Sequence, residues 1–160
     1  MPILQIRPTH PATHPQRQFR DTQIDVKIVL SGLWVAMLFL FAFVDIFGRF
    51  RSDIIDGALA GEVPGQDITI NQTFLAAATG YILIPSLMVA VSLMAPAKLN
   101  RRLNIGVSLF YAISIAALCI GESWIYYLVG SFFEVVPLLL ATRTAWRWPT
   151  DANDASIPRS

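Results

Sequence analysis

Two carboxylates interrupt stretches that are otherwise apolar: Glu134 in SFFEVVPLLL and Asp45 in FAFVDIF. An ionisable side chain in such a setting is the residue type that relays protons or holds a polar ligand inside a membrane. Glu134 lies eleven residues after Ser123. At about 1.5 Å per helical residue that is roughly 16 Å, near the middle of a hydrocarbon core about 30 Å thick. A charge at that depth costs at least about 2.5 kcal/mol on the more lenient insertion scales. Counting depth along the other apolar stretches puts Tyr111, Trp34, Met37 and residues 81–86 at the same level, and no Lys, Arg or His. Glu134 is therefore expected to stay protonated and to donate a hydrogen bond. It would either tie helices together, through Tyr111 or a carbonyl freed by Pro137, or serve as a proton- or ligand-coupled group.

Asp45 is followed one turn later by Arg49, which reads as an i,i+4 ion pair worth a few tenths of a kcal/mol. The alternative is a polar cluster with Gln72, Glu122 and Tyr126 or Tyr127. Asp45 and Glu134 differ in depth by roughly 12 Å on the same helical rise, too far for a carboxylate dyad, though they would serve as successive stations on a path from outside. The candidate intramembrane residues are thus Glu134, Asp45, Tyr111, Tyr127 and Ser86.

Other chemistry lacks its residues. There is no CxxC, and Cys119 alone in an apolar run reads as a small hydrophobe. No HExxH, no glycine-rich phosphate loop and no histidine within an apolar run is present. His10 and His14 read as solvated tail residues rather than a metal pair. The expectation is a protein that is not an enzyme and that carries no cofactor or metal.

These residues need elements to hold them, and the composition says which kind. Of 160 residues 54% are hydrophobic and 14% charged, against roughly 25% charged in a soluble domain, and the mean hydropathy is +0.54. One cysteine and a net charge of +1 exclude a disulfide scaffold and a basic nucleic-acid binder. Four stretches approach the roughly 20 residues that a spanning helix needs: 28–47, 73–94, 103–121 and 124–142. They are too long and lack the alternation for barrel strands, and lipid requires their backbone groups to be paired within the segment. Pro85 and Pro137 then sit inside the second and fourth helices as tolerated kinks. The fold class expected is all-α, a transmembrane four-helix bundle, up-down and antiparallel. Residues 1–26 read as a flexible cytoplasmic tail without the apolar core of a signal peptide, 27–149 as the membrane domain and 150–160 as a second tail.

Ten of the twelve basic residues fall on one side of this arrangement, and only Arg49 and Arg51 on the other. That bias places both termini in the cytoplasm. Trp146 and Trp148 at one end of the last helix, and Trp124, Tyr126 and Tyr127 at the other, suit the two interfaces. Lys98, Arg101 and Arg102 would attract anionic lipid head groups. In the outer loop 48–72, Ser52 as N-cap, Asp53 in the first turn and Ile54, Ile55, Ala58 and Leu59 at helical spacing predict a short amphipathic interfacial helix stopped by Gly61 and Pro64. It would cap the bundle or act as a lid. Asn71-Gln72-Thr73 matches a glycosylation sequon in form only.

Polar and small residues recur at steps of three and four on each span. They are Ser31, Trp34, Leu38, Ala42 and Asp45; Gln72, Ala76, Thr79, Leu83 and Ser86; Asn104, Ser108, Tyr111 and, beyond Leu118, Glu122; and Trp124, Tyr127, Ser131, Glu134 and Leu138. These stripes are expected to face inward, and Ala76 with Gly80 and Ala117 with Gly121 to permit close helix contact.

The strings LWVAMLFLFAFVDIF, IIDGALAGE, IPSLMVAVSL with PAKLNRRLNI, and YYLVGSFFEVV ending in AWRWP resemble an uncharacterised family of small bacterial four-helix membrane proteins, a domain of unknown function. The resemblance runs from about Val26 to Pro149. Asp45, Pro85, Asn100, Arg101, Asn104, Glu134 and the residues 145–149 fall on its pattern positions. It implies the same four-span bundle in an inner membrane and brings no catalytic residue or substrate. The first functional expectation is a non-enzymatic scaffold or accessory subunit among membrane lipids, in one copy or as a homo-oligomer, with no nucleic-acid partner. The alternative is a small proton-coupled transporter or channel using Glu134, comparable in physics only to dimeric small multidrug transporters, which carry their Glu in the first helix. An intramembrane enzyme or quinone-linked factor comes last.

Overall fold

A computed structural model describes residues 23–149; both tails and the His10 and His14 positions lie outside the described residues apart from 23–26. Five helices follow in chain order: α1 (Val26–Gly48), α2 (Ser52–Ala60), α3 (Gln72–Met94), α4 (Ala97–Leu118) and α5 (Ile125–Trp146). The described residues are all-helical, with one isolated antiparallel bridge between Glu62 and Thr69.

Local chemistry sets most of the boundaries. The Asp25 side chain accepts from the Lys27 N–H at 2.7 Å to start α1, and Asn71 accepts from the Phe74 N–H at 2.9 Å to start α3. The short helix expected in the 48–72 loop is present as α2, but Arg51 rather than Ser52 is its N-cap. Gly61 ends α2 in the left-handed region, φ 75°, where a residue without Cβ is least strained.

The expected start of the third long helix is corrected. α4 begins at Ala97, not 103, directly after Pro96, so Lys98, Arg101 and Arg102 are helical and the α3–α4 connection shrinks to Ala95 and Pro96. Charge marks where lipid contact ends, not where a helix ends, and Lys and Arg are good helix formers. α5 likewise runs past 142 to Trp146, with Arg143 in its last turn, a position the helix dipole favours for a cation. Among the described residues three helices, not four, are long and apolar enough to cross a membrane by length and composition: α1, α3 and α5. The polar opening turns of α4 set it apart.

α5 lies between α1 and α4, while α3 packs on α1 and meets α4 along a thinner seam. A close helix approach lies at Gly130 on α5, where an added Cβ would collide with the Val44 side chain on α1. The two small-residue pairs expected to do this do not. Gly80 and Gly121 have open space at the Cβ position, and Ala76 and Ala117 are exposed. Trp34, Met37, Met88, Tyr111, Ile115 and Leu138 form the main core, and Leu30, Ala141 and Ala145 a second cluster.

Polarity is distributed inside-out. Asn100, Asn104, Ser92, Ser108, Ser131 and Glu134 are buried, while Phe39, Phe110, Ile113, Phe132 and Leu139 stand exposed. The inward stripes hold for Ser31 and Trp34, for Asn104, Ser108 and Tyr111, and for Ser131, Glu134 and Leu138. On α3 the expected stripe is on the wrong face: Gln72, Ala76, Thr79, Leu83 and Ser86 are all exposed, and Pro85, Met88 and Ser92 point inward. The hydroxyls of Thr79 and Ser86 bond to the carbonyls of Leu75 and Ile82 on their own helix, each at 2.8 Å. A hydroxyl so satisfied can face lipid and carries no information about which side is inside.

A candidate site built from three polar clusters

Asn100, Asn104 and Ser108 follow one another at steps of four and so stand on one face of α4. Asn104 is fully buried and uses its whole amide. Its Oδ1 accepts from Trp34 Nε1 on α1 at 2.7 Å and from Ser92 Oγ on α3 at 3.3 Å. Its Nδ2 donates to Asn100 O at 3.0 Å and Asn100 Oδ1 at 2.6 Å. Two acceptor and two donor positions is the full capacity of a carboxamide. Asn100 Nδ2 donates to Ser92 O at 2.6 Å. Ser108 Oγ bonds to Asn104 O and shares a 2.7 Å bond with Thr142 Oγ1 on α5. One network thus joins all four long helices. Near the same end, Lys27 Nζ donates to Leu93 O at 3.4 Å and Arg101 Nη2 to Trp146 O at 3.3 Å, cations at the carbonyl-rich ends of α3 and α5.

A second cluster lies further along the α3–α4 seam. Pro85 has no N–H, so the helix leaves the Tyr81 carbonyl without its usual partner. Tyr111 Oη donates to that carbonyl at 2.5 Å. Tyr81 Oη and Ser114 Oγ share a 2.7 Å bond, and Ser114 Oγ donates to Tyr111 O at 3.0 Å. The two tyrosine rings sit 4.7 Å apart, and Trp34 meets Tyr111 edge-on at 6.3 Å.

Glu134 is 2% exposed on the inward face of α5, and its Oε1 is buried without a hydrogen-bond partner among the described residues. Tyr81 and Tyr127 lie within electrostatic reach of it. The expected tie through a Tyr111 proton is corrected, because that proton goes to Tyr81 O. Asp45 is far from this core in character: it is 62% exposed and pairs only with Arg49 at 3.5 Å, the simple i,i+4 reading. Ser86 is exposed and bonded to its own helix, so it leaves the candidate set. Tyr127 is half-buried on α5.

The third cluster, outside the long helices, turns on Arg51 rather than Asp45. The Arg51 guanidinium, 11% exposed, grips Asp53 at 2.6 Å and Glu122 at 2.9 Å and lies 4.7 Å from the Trp124 ring centre. Glu122 Oε1 also accepts from the N–H groups of Ser123 and Trp124 at 2.8 and 2.9 Å. The bond from Arg51 holds the Asp53 carboxyl below its ordinary range. The Trp124 N–H, aided by Arg51, does the same for Glu122. Of the alternative cluster of Asp45 with Gln72, Glu122 and Tyr126 or Tyr127, Glu122 and Tyr126 do meet, at Arg51, while Asp45 and Gln72 do not join them and Asp53 does. The available signal was that Arg51 is one of only two basic residues on its side.

Among the described residues no three His, Cys, Asp or Glu side chains gather as a metal cluster. Two open grooves mark the surface of the described residues, one between α3 and α4 and one beside α2, and Glu134 lines neither. The asparagine network and the tyrosine pair are therefore fully bonded fasteners. Among the described residues two buried side-chain atoms have bonding capacity left over, Arg101 Nε and Glu134 Oε1, and of the two groups Glu134 is the one that can take up or release a proton.

No curated protein and no solved structure matches the chain. The pattern carried by the named motifs nonetheless has a counterpart across most of its length: residues 19–155 match the family of unknown function (DUF6326), and the chain belongs to it.

Proposed function

We propose that the chain is an integral membrane protein whose helices α1, α3, α4 and α5 cross the bilayer as an up-down bundle with both termini cytoplasmic. It would work as a non-enzymatic scaffold or accessory subunit. The inside-out polarity carries this reading: large apolar side chains clothe the outside while asparagines and serines are spent on one another within. Lipid favours that arrangement and water does not. It also supports α4 as a fourth span. Asn100 and Asn104 face the bundle rather than lipid, and Lys98, Arg101 and Arg102 occupy its cytoplasmic end. A bacterial inner membrane is the setting that the family resemblance implies. The test is alkaline extraction of membranes from expressing cells. The chain is expected to stay with the membrane pellet, and release into the supernatant would contradict the reading.

A proton-coupled transporter or channel is the second reading, favoured by the unpartnered Oε1 of Glu134. In proteoliposomes it requires a proton flux that Glu134→Gln abolishes. Equal flux from both proteins, or none from either, leaves the scaffold.

A further inference from the structure

α3 and α4 are fastened at two levels and stand apart between them. The ties are Ser92 with Asn100 and Asn104 at one level and Tyr81 with Tyr111 and Ser114 at the other. Between them runs an open, almost wholly apolar groove of about 240 Å³, lined by Ile84 on α3 and by Arg102, Gly106, Val107 and Phe110 on α4. Its floor is kept low by Gly106, where an added Cβ would meet nothing within 4 Å. From Arg102 to Phe110 the groove follows α4 for roughly 12 Å at about 1.5 Å per residue. That is close to one leaflet's half of a core about 30 Å thick. Arg102 at its mouth is exposed and makes no ion pair among the described residues.

We infer that this seam is a binding site for one anionic phospholipid of the cytoplasmic leaflet, an acyl chain lying in the groove over Gly106 and the phosphate on the Arg102 guanidinium. The inference rests on the membrane reading above and adds a specific ligand to it. Length, apolar walls and a single cation at the interface level match a lipid with a charged head. A helix from a second copy would bring no anion to Arg102 along the apolar faces that α3 and α5 expose.

Native mass spectrometry of the detergent-extracted chain, titrated with phosphatidylglycerol or phosphatidylcholine, tests this. The wild type is expected to retain one phosphatidylglycerol in preference to phosphatidylcholine. Arg102→Gln should lower that preference about fivefold, the share of one basic residue near an anionic surface, and Lys98→Gln, at a residue that does not line the groove, should lower it clearly less. Gly106→Leu fills the groove and should abolish retention of both lipids; Ile84→Phe narrows it from α3 and should do the same if Gly106→Leu does not fold. Equal effects of Arg102→Gln and Lys98→Gln, or undiminished retention in the filled-groove variants, would overturn the site. So would a dimer that Gly106→Leu dissociates without any lipid preference. The extraction result separates the two readings: a chain that stays in the membrane yet shows no preference refutes the lipid site alone.

Discussion

The hydroxyl of Tyr111 occupies the carbonyl of Tyr81 that Pro85 leaves open, at 2.5 Å across the α3–α4 seam. A proline that would weaken one helix thereby becomes the means of fastening two. Hydrogen bonds of this kind between membrane helices are worth about 0.6 kcal/mol on average and up to about 1.7. Tyr111→Phe should cost about 1 kcal/mol in a detergent unfolding titration. In a Pro85→Ala background the Tyr81 carbonyl regains a helical partner, and the same substitution should cost clearly less. Equal costs in both backgrounds would show that the bond is not tied to the proline.

Asn104 fills all four of its hydrogen-bond positions with partners on three helices. Asn104→Leu should therefore destabilise by about 2 kcal/mol or more, through the unpaired Trp34 Nε1 and Asn100 Oδ1 it leaves buried. Ser86→Ala, which removes a hydroxyl bonded to its own helix, should stay within about 0.5 kcal/mol. Unfolding midpoints of the two variants give the comparison directly. A disturbed Trp34 emission is expected only in the first.

The Arg51 cluster gives a dependence on acid. Asp53 and Glu122 are held below their ordinary values of 3.8 and 4.5. Their contribution is thus fully present above those values and is lost as the pH falls below them through the lowered ones. Hydrogen exchange in α2 should accelerate below about pH 4 and not between pH 5 and 8. Arg51→Gln should make α2 exchange fast at every pH, and Arg49→Gln, whose ion pair is exposed, should change little.

Gly130 packs against Val44 with no room for a Cβ. Gly130→Ala should destabilise by about 1–3 kcal/mol, the usual cost of overpacking, and Val44→Ala should restore most of the loss. A double-mutant cycle measures that coupling. Additive costs would place the strain elsewhere.

Much of the interior was readable from spacing, because a carboxyl, an indole or a carboxamide midway along an apolar helix turns inward, as Glu134, Trp34 and Asn104 do, while Asp45 and Gln72 near helix ends stay exposed. Hydroxyls mislead, since Thr79 and Ser86 bond to their own helix and face outward. The early start of α4 was hidden because Lys98, Arg101 and Arg102 end an apolar run without ending a helix. Which groups meet was not legible where it depends on the relative register of two helices. The pairing of Tyr111 with the Pro85-freed carbonyl, and of Arg51 with Glu122 between two connecting segments, are set by that register. So is the choice of Gly130 over Gly80 and Gly121 as the close approach.

The proposed bundle has four crossing helices, α4 among them. Alkaline phosphatase fused after Gln66, Pro96, Ser123 and Pro149 tests it most directly. The account predicts activity after Gln66 and Ser123 and none after Pro96 and Pro149. Activity after Pro149, or the same activity on both sides of α4, would contradict it.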